Sequence, residues 1–133
     1  MSETSDNIES FSLKNNTKGK LPRLPFLELK EHILGKKYIL SVVFIGDSLS
    51  KKLNNQYRQK NKPTNVLSFP LSQSEGEIFL NLKRAKMEAP KFGDSYTSFV
   101  GFLFIHGLLH LKGMGHGSRM ERAEKLARKH FNI

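Results

Sequence analysis

The chain has 133 residues, a length typical of one domain with a buried core, and its 22 lysines and arginines against 12 acidic residues give a formal charge of +10. The absence of cysteine excludes disulfides, thiolate metal ligands and thiol catalysis, and the longest apolar run, Phe99 to Leu111, is too short to span a bilayer. The positive charge favours a polyanionic partner, with nucleic acid first and an anionic membrane surface second.

The N-terminal residues are polar and acidic. Residues 1–7 are predicted to be a disordered tail on a single domain that spans residues 1–133. No apolar stretch typical of a signal peptide occurs in residues 1–10, so we expect a cytoplasmic protein without a membrane partner.

Two strands and two helices are predicted in the first half. The first strand covers residues 8–13, and a helix between Pro25 and Gly35 follows a polar turn at residues 15–20. The run Tyr38 to Ile45 is almost entirely apolar and predicts a central strand covered on both faces. A second helix follows, capped by Asp47 or Ser48. The residues expected to face the core are Phe26, Leu29 and Ile33 in the first helix and Leu49, Leu53 and Tyr57 in the second.

A basic stretch without any acid covers residues 51–62. Val66 to Leu71 then predicts a strand, in which Pro70 indicates a sheet edge or a strand end. A loop over residues 72–76 and an alternating strand over residues 77–82 complete a hairpin. The basic residues of the stretch are Lys51, Lys52, Arg58, Lys60 and Lys62.

Three helices are predicted in the remainder. A weak helix covers residues 83–89, and a long apolar helix capped by Asp94 or Ser95 ends near Leu111. Ser118 and Glu121 form a capping box that opens the last helix. The expected fold is α/β of the mixed α+β kind, with about four strands in a small mixed sheet and four to five helices. The residues expected on the inner face of the last helix are Met120, Ala123, Ala127 and Phe131.

Three of the five histidines lie within eleven residues at the end of the long apolar helix. His106 and His110 are four residues apart and therefore share one helix face, while glycines 113 and 115 let the chain turn so that His116 can return to them. Three neutral imidazoles suit Zn²⁺, although other divalent metals are possible, and they leave a fourth coordination position open. The alternative for a single histidine here is a hydrogen-bonded core residue. His32 and His130 are predicted to be surface residues.

Gly107 follows the first of these histidines, where a His-Glu-x-x-His metalloprotease has its general base. Peptide hydrolysis by that mechanism is therefore not expected.

The segment from His106 to His116, HGLLHLKGMGH, resembles the motif HGxLHLxGYDH of the YbeY family of rRNA maturation factors. Residues 53–70, LNNQYRQKNKPTNVLSFP, are similar to a second family motif, LNxxYRxKDxPTDVLSFP, and Gly76 to Ile78 looks like its Gly-Asp-Ile strand. The resemblance covers about residues 38–126. It implies a zinc-dependent, single-strand endoribonuclease with His106, His110 and His116 as ligands and Arg58 as the functional arginine.

The chain departs from the family motifs at several positions. Met114 replaces a tyrosine, Gly115 replaces the aspartate beside the last ligand, and Asn61 and Asn65 replace aspartates. A missing carboxylate near a metal removes a group that commonly orients ligands, so we expect an effect on rate more than on metal binding. Glu121 aligns with a family acid. Asn65 and Ser68 are candidates to line the same cleft, with simple turn and strand positions as the alternative.

The resemblance leads to two hypotheses of different classes. The first is a metal-dependent endonuclease, a phosphodiester hydrolase in rRNA processing and ribosome quality control, with single-stranded rRNA and ribosomal particles or ribosomal proteins as partners. The second is a zinc-containing ribosome-assembly factor that binds RNA without nuclease activity. A metal hydrolase for small substrates would suit the site but not the charge of +10.

Overall fold

A computed structural model describes residues 10–133, and the predicted tail at residues 1–7 lies outside that range. One four-stranded mixed sheet accompanies five α-helices within it, which confirms the predicted fold class. The strands are β1 (Phe11–Asn15), β2 (Ile39–Ile45), β3 (Val66–Ser72) and β4 (Glu75–Asn81). The helices are α1 (Phe26–Leu34), α2 (Asp47–Arg58), α3 (Leu82–Glu88), α4 (Tyr96–Leu111) and α5 (Ser118–Phe131), and a 3-10 turn, Ala89–Phe92, links α3 to α4.

The sheet has the order β1-β2-β4-β3. β2 is parallel to both β1 and β4, so the prediction of a central strand is correct. Its side chains alternate, however: Leu40, Val42 and Phe44 are buried in the core, whereas Ile39 is 41% exposed on the other face. Full coverage of both faces was therefore a wrong expectation, because Ile39 is exposed and Ser41 and Val43 are only half-buried on the second face.

β3 and β4 form the predicted antiparallel hairpin, with β3 at the sheet edge as Pro70 indicated. The predicted loop at residues 72–76 is too long, since Ser72 already pairs with Glu75 after an irregularity that follows Pro70. Gly76 therefore lies in β4, and Leu82 begins α3 instead of ending the strand. β1 begins at Phe11 and ends at Asn15, two residues beyond the predicted end, and residues 8 and 9 of the predicted strand lie outside the described range.

Helix α4 lies in the middle of the molecule, in contact with β3, β4, α1, α3 and α5. The Ser95 hydroxyl caps it by accepting a bond from the Ser98 amide at 3.1 Å, which selects Ser95 over Asp94. No helix among residues 10–133 combines the length and the apolar character needed to cross a membrane. The side chains of α4 that are almost completely inaccessible are Phe99, Val100, Phe104, Ile105 and Leu108.

The turn after α4 uses one of the two predicted glycines. Gly113 has a positive φ of 104°, but the second such residue is Gly117 (φ 146°), not Gly115. Gly117 is also the N-cap of α5 and its carbonyl accepts a bond from the Glu121 amide at 3.0 Å. No side chain caps this helix, so the predicted Ser118 capping box is wrong.

The buried face of α2 is polar, contrary to prediction. Leu49 and Leu53 are half-buried and Tyr57 is exposed, whereas Ser50 and Asn54 are each 1% exposed. The Ser50 hydroxyl donates to the Thr64 carbonyl at 2.8 Å and accepts from the Thr64 amide at 2.9 Å, and the Asn54 amide group donates to the Lys62 carbonyl at 2.8 Å. These bonds fix the loop that joins α2 to β3, because they satisfy backbone groups that have no strand partner.

We predict that Ser50→Ala loosens this loop. Two backbone groups of Thr64 lose their buried partner, which should lower the free energy of unfolding by about 1–3 kcal/mol. Hydrogen exchange should show faster exchange at the Thr64 amide, and chemical denaturation should give the stability change. Ser48→Ala is the matched control, because Ser48 is exposed on the same helix. Equal exchange in both variants would contradict the assigned bonds.

Candidate metal centre

Three histidines converge where α4 ends. His106 and His110 occupy successive turns of α4, and the loop after Gly113 brings His116 back to them. One potential ligand atom from each of the three lies within 4.8 Å of the others, and the Nε2 atoms of His106 and His110 are 3.1 Å apart. In tetrahedral zinc sites, with Zn–N bonds of about 2.0–2.1 Å, neighbouring ligand nitrogens are about 3.3 Å apart. The cluster could therefore hold a metal ion.

The outer nitrogens of the two helical histidines are both engaged. His106 Nδ1 lies 2.6 Å from the Glu124 carboxylate, and His110 Nδ1 lies 3.0 Å from the Met114 carbonyl. Because a carbonyl and a carboxylate accept hydrogen bonds, each Nδ1 carries the proton and donates it. In the neutral rings both Nε2 lone pairs then face each other, an arrangement that requires a cation or a proton between them. The donor set thus fits a divalent metal.

The lowered pKa of His110 also favours a role as a metal ligand. Burial, followed by the charge of the neighbouring His106, lowers the pKa of His110 from its ordinary value. A lowered histidine pKa extends the neutral form to lower pH, and only the neutral imidazole binds a metal.

Gly107 lies at the contact between α4 and the sheet. A Cβ atom here would be 3.0 Å from the Ser68 hydroxyl and 3.1 Å from Ile78 Cδ1, so a glutamate at this position would require these side chains to shift. The Ser68 hydroxyl donates to the Gly107 carbonyl at 3.2 Å. The close packing of this helix turn favours a glycine after His106.

The three histidines open onto a cleft of about 730 Å³. Arg58, at the end of α2, lines the same cleft, is exposed and has no hydrogen-bond or ion-pair partner among residues 10–133. Asn65 and Ser68 line it as well, as expected, but both have structural bonds: the Asn65 amide group donates to Glu88 at 2.8 Å, and Ser68 bonds to Gly107. Arg58 is therefore the cationic group free to meet a ligand beside the histidines.

The acid that contacts the histidine cluster is Glu124, which the sequence analysis did not single out. It is not Glu121, which aligns with a family acid. Glu121 is exposed, but Glu124 is 8% exposed and reaches His106 from α5. The signal was present in the sequence, since an acid four residues after Met120 and three before Ala127 falls on the apolar face of the last helix. This carboxylate orients His106 although Gly115 offers none beside His116.

His32 and His130 are both exposed, as predicted, and take no part in this cluster. Their rings stack on each other at 4.6 Å between α1 and α5.

Comparisons with known proteins give one consistent result. A family model described as "Endoribonuclease YbeY" matches residues 3–133. A protein of that name from Persephonella marina is 35% identical over 80% of this chain and 72% of its own, and one from Campylobacter jejuni (strain 81-176) is 34% identical over 81% and 86%. The match to the relative from Carboxydothermus hydrogenoformans, 37% identical, spans 62% of this chain and only 61% of that protein.

The fold also has a solved counterpart. The solution structure of a protein from Thermotoga maritima aligns with a TM-score of 0.61 and 28% identity, over 88% of this chain and 85% of the other.

We predict that Glu124→Ala weakens metal binding by about 10–100-fold, because His106 loses the partner that fixes its ring and tautomer. Competition with a chromophoric zinc chelator measures this directly, independently of any activity. The metal affinity of Glu124→Gln should lie between those of the original protein and Glu124→Ala, because the glutamine amide oxygen still accepts a hydrogen bond from His106 Nδ1. Glu121→Ala is the matched control from the same helix, and equal affinities for the two alanine variants would exclude an orienting role for Glu124.

Proposed function

This chain belongs to the YbeY family of endoribonucleases, and on that premise we propose that it is a metal-dependent endoribonuclease specific for single-stranded RNA. The observation that carries the proposal is the cleft, in which an unpaired arginine faces a cluster of three histidines. A metal site paired with a free guanidinium suits the cleavage of a phosphodiester, whose charge increases in the transition state.

His106, His110 and His116 are the proposed ligands, and Zn²⁺ is the proposed metal because all three donors are imidazole nitrogens. Other divalent ions compatible with imidazole are alternatives. When bound, the cation supplies Lewis acidity that stabilises negative charge on a phosphate oxygen. Glu124 and the Met114 carbonyl hold the first two rings in the tautomer that this role requires.

Arg58 is the proposed catalytic residue. Its guanidinium is exposed at the mouth of the cleft, and no acid among residues 10–133 neutralises it. A guanidinium can donate two parallel hydrogen bonds to a phosphate, which orients the substrate and offsets the charge developing on phosphorus. The lysines of residues 51–62 are exposed as well: Lys51, Lys52, Lys60 and Lys62.

The proposed substrate is ribosomal RNA, and the proposed process is rRNA maturation and ribosome quality control in the cytoplasm. The net charge of +10 supports binding to RNA and to ribosomal particles or their proteins. An assembly factor without nuclease activity is less well supported, because its main argument was the absent carboxylate beside His116, and Glu124 supplies one to the cluster.

We predict that the purified protein cleaves a labelled single-stranded RNA in a metal-dependent way and leaves a duplex of the same sequence intact. Arg58→Ala should reduce the rate at least about 100-fold while retaining metal, because the variant loses a phosphate-binding and charge-stabilising group but keeps all three histidines. His110→Ala should lose both metal and activity. Gel electrophoresis of the products and metal analysis of each variant measure these effects.

Lys52→Ala is the matched control, since Lys52 is an exposed cation on the same helix that does not line the cleft. Cleavage unchanged in both Arg58→Ala and His110→Ala would indicate a contaminating nuclease and overturn the proposal. RNA binding without cleavage by the metal-loaded protein would instead support the assembly factor.

A further inference from the structure

Tyr57 is an aromatic residue that the fold leaves in solvent. It lies immediately before Arg58 at the end of α2, lines the same cleft and is 56% exposed. A ring of this size usually contributes to the core, and the core-facing positions of α2 are occupied by Ser50 and Asn54 instead. Its exposed ring is therefore available to a ligand in the cleft.

The ring is supported from behind by two others. Tyr57 contacts Phe69 at a centroid distance of 5.0 Å, and Phe69 contacts Phe79 edge-on at 5.7 Å. Phe69 and Phe79 come from adjacent strands on the sheet face opposite the main core, so the row is anchored on β3 and β4. The support holds the Tyr57 ring in place while more than half of its surface stays accessible.

An accessible aromatic ring next to an unpaired guanidinium can contact two parts of a nucleotide, its base and its phosphate. Bases stack on aromatic rings irrespective of sequence, and arginine binds the phosphate that follows. Phe102, which also lines the cleft, is less accessible to a base than Tyr57. Its ring is only partly exposed, and Arg128 lies over it at 5.5 Å.

We propose that Tyr57, supported by Phe69, is the base-stacking site for a nucleotide next to the phosphate bound by Arg58. This inference rests on the proposed function and adds the source of its strand specificity. Bases within a duplex are already stacked and paired, so only an unpaired base can lie on Tyr57. The ligand is nucleic acid rather than an apolar peptide because the neighbouring side chains, Arg58, Lys60 and Lys62, are cationic and exposed.

The first test measures binding without cleavage. Fluorescence anisotropy of a labelled single-stranded RNA is recorded with the full-length protein in the presence of a chelator, at fixed salt, and a gel verifies that the RNA stays intact. Tyr57→Leu should weaken binding about tenfold, within the range for loss of one base–aromatic stack, and Tyr57→Phe should bind as the original protein does. Phe92→Leu is the matched control: Phe92 is 67% exposed and stacks on Phe99 at 5.2 Å, but does not line the cleft.

The second test reports the contact itself. The chain has no tryptophan, so Tyr57→Trp introduces a single tryptophan, whose emission can be excited selectively and whose ring retains an aromatic surface. Its emission should be quenched by RNA with the same dissociation constant as the anisotropy gives, whereas Phe92→Trp should show no quenching. Quenching at position 57 that is absent with a duplex of the same sequence supports the stacking site.

Unchanged RNA affinity in Tyr57→Leu together with unquenched Tyr57→Trp overturns the inference, even if the original protein cleaves RNA and the proposed function stands. Weaker binding in Tyr57→Leu with no cleavage by the metal-loaded protein supports the stacking site and overturns the nuclease. Normal RNA binding with loss of association to ribosomal particles would identify Tyr57 as a protein contact and overturn the inference.

Discussion

The close approach of α4 to the β3–β4 hairpin is the constraint on which the rest of the structure depends. It occurs at Gly107, where any side chain would press against Ser68 and Ile78. The contact fixes the rotation of α4, and that rotation directs His106 and His110 toward the cleft instead of the core. The Ser68 hydroxyl of β3, in the cleft wall, donates a hydrogen bond to the Gly107 carbonyl of the same helix that carries His106 and His110. The geometry of the site is therefore a consequence of packing.

Buried polar side chains outside the histidine cluster hold parts of the candidate site. Glu124 on α5 fixes His106, and Ser50 and Asn54 fix the loop that follows Arg58. The charged groups that must meet a substrate, by contrast, have no partners among the described residues. This division is physically reasonable, because a group that is paired in the free protein would have to break that pairing before binding a phosphate. The buried polar bonds thus provide rigidity, and the unpaired cations provide affinity.

The sequence predicted most of the elements and the three clustered histidines. Local signals sufficed there: apolar spacing for α1, the unbroken apolar run of β2, and the separation of four residues between His106 and His110. The sequence-based prediction failed where tertiary hydrogen bonds or packing determine which side chains are buried and where the chain turns. Ser50 and Asn54 are poor candidates for a buried helix face until the Thr64 and Lys62 backbone groups are seen to need partners. Gly117 could not be chosen over Gly115 because the path of the turn depends on where α5 packs.

The histidine cluster and the proposed specificity for single strands have different physical origins. The three histidines and Glu124 could hold a cation, but they contain nothing that distinguishes an unpaired strand from a duplex. The selective element has to lie along the path of the substrate, where Tyr57 presents a supported ring beside Arg58. A duplex approaching the same cleft would have to unstack a base to use that ring, which costs a few kcal/mol for each base. Placing the aromatic ring next to the guanidinium couples phosphate binding to the presence of a free base, so one short segment at the end of α2 can both bind the substrate and select it.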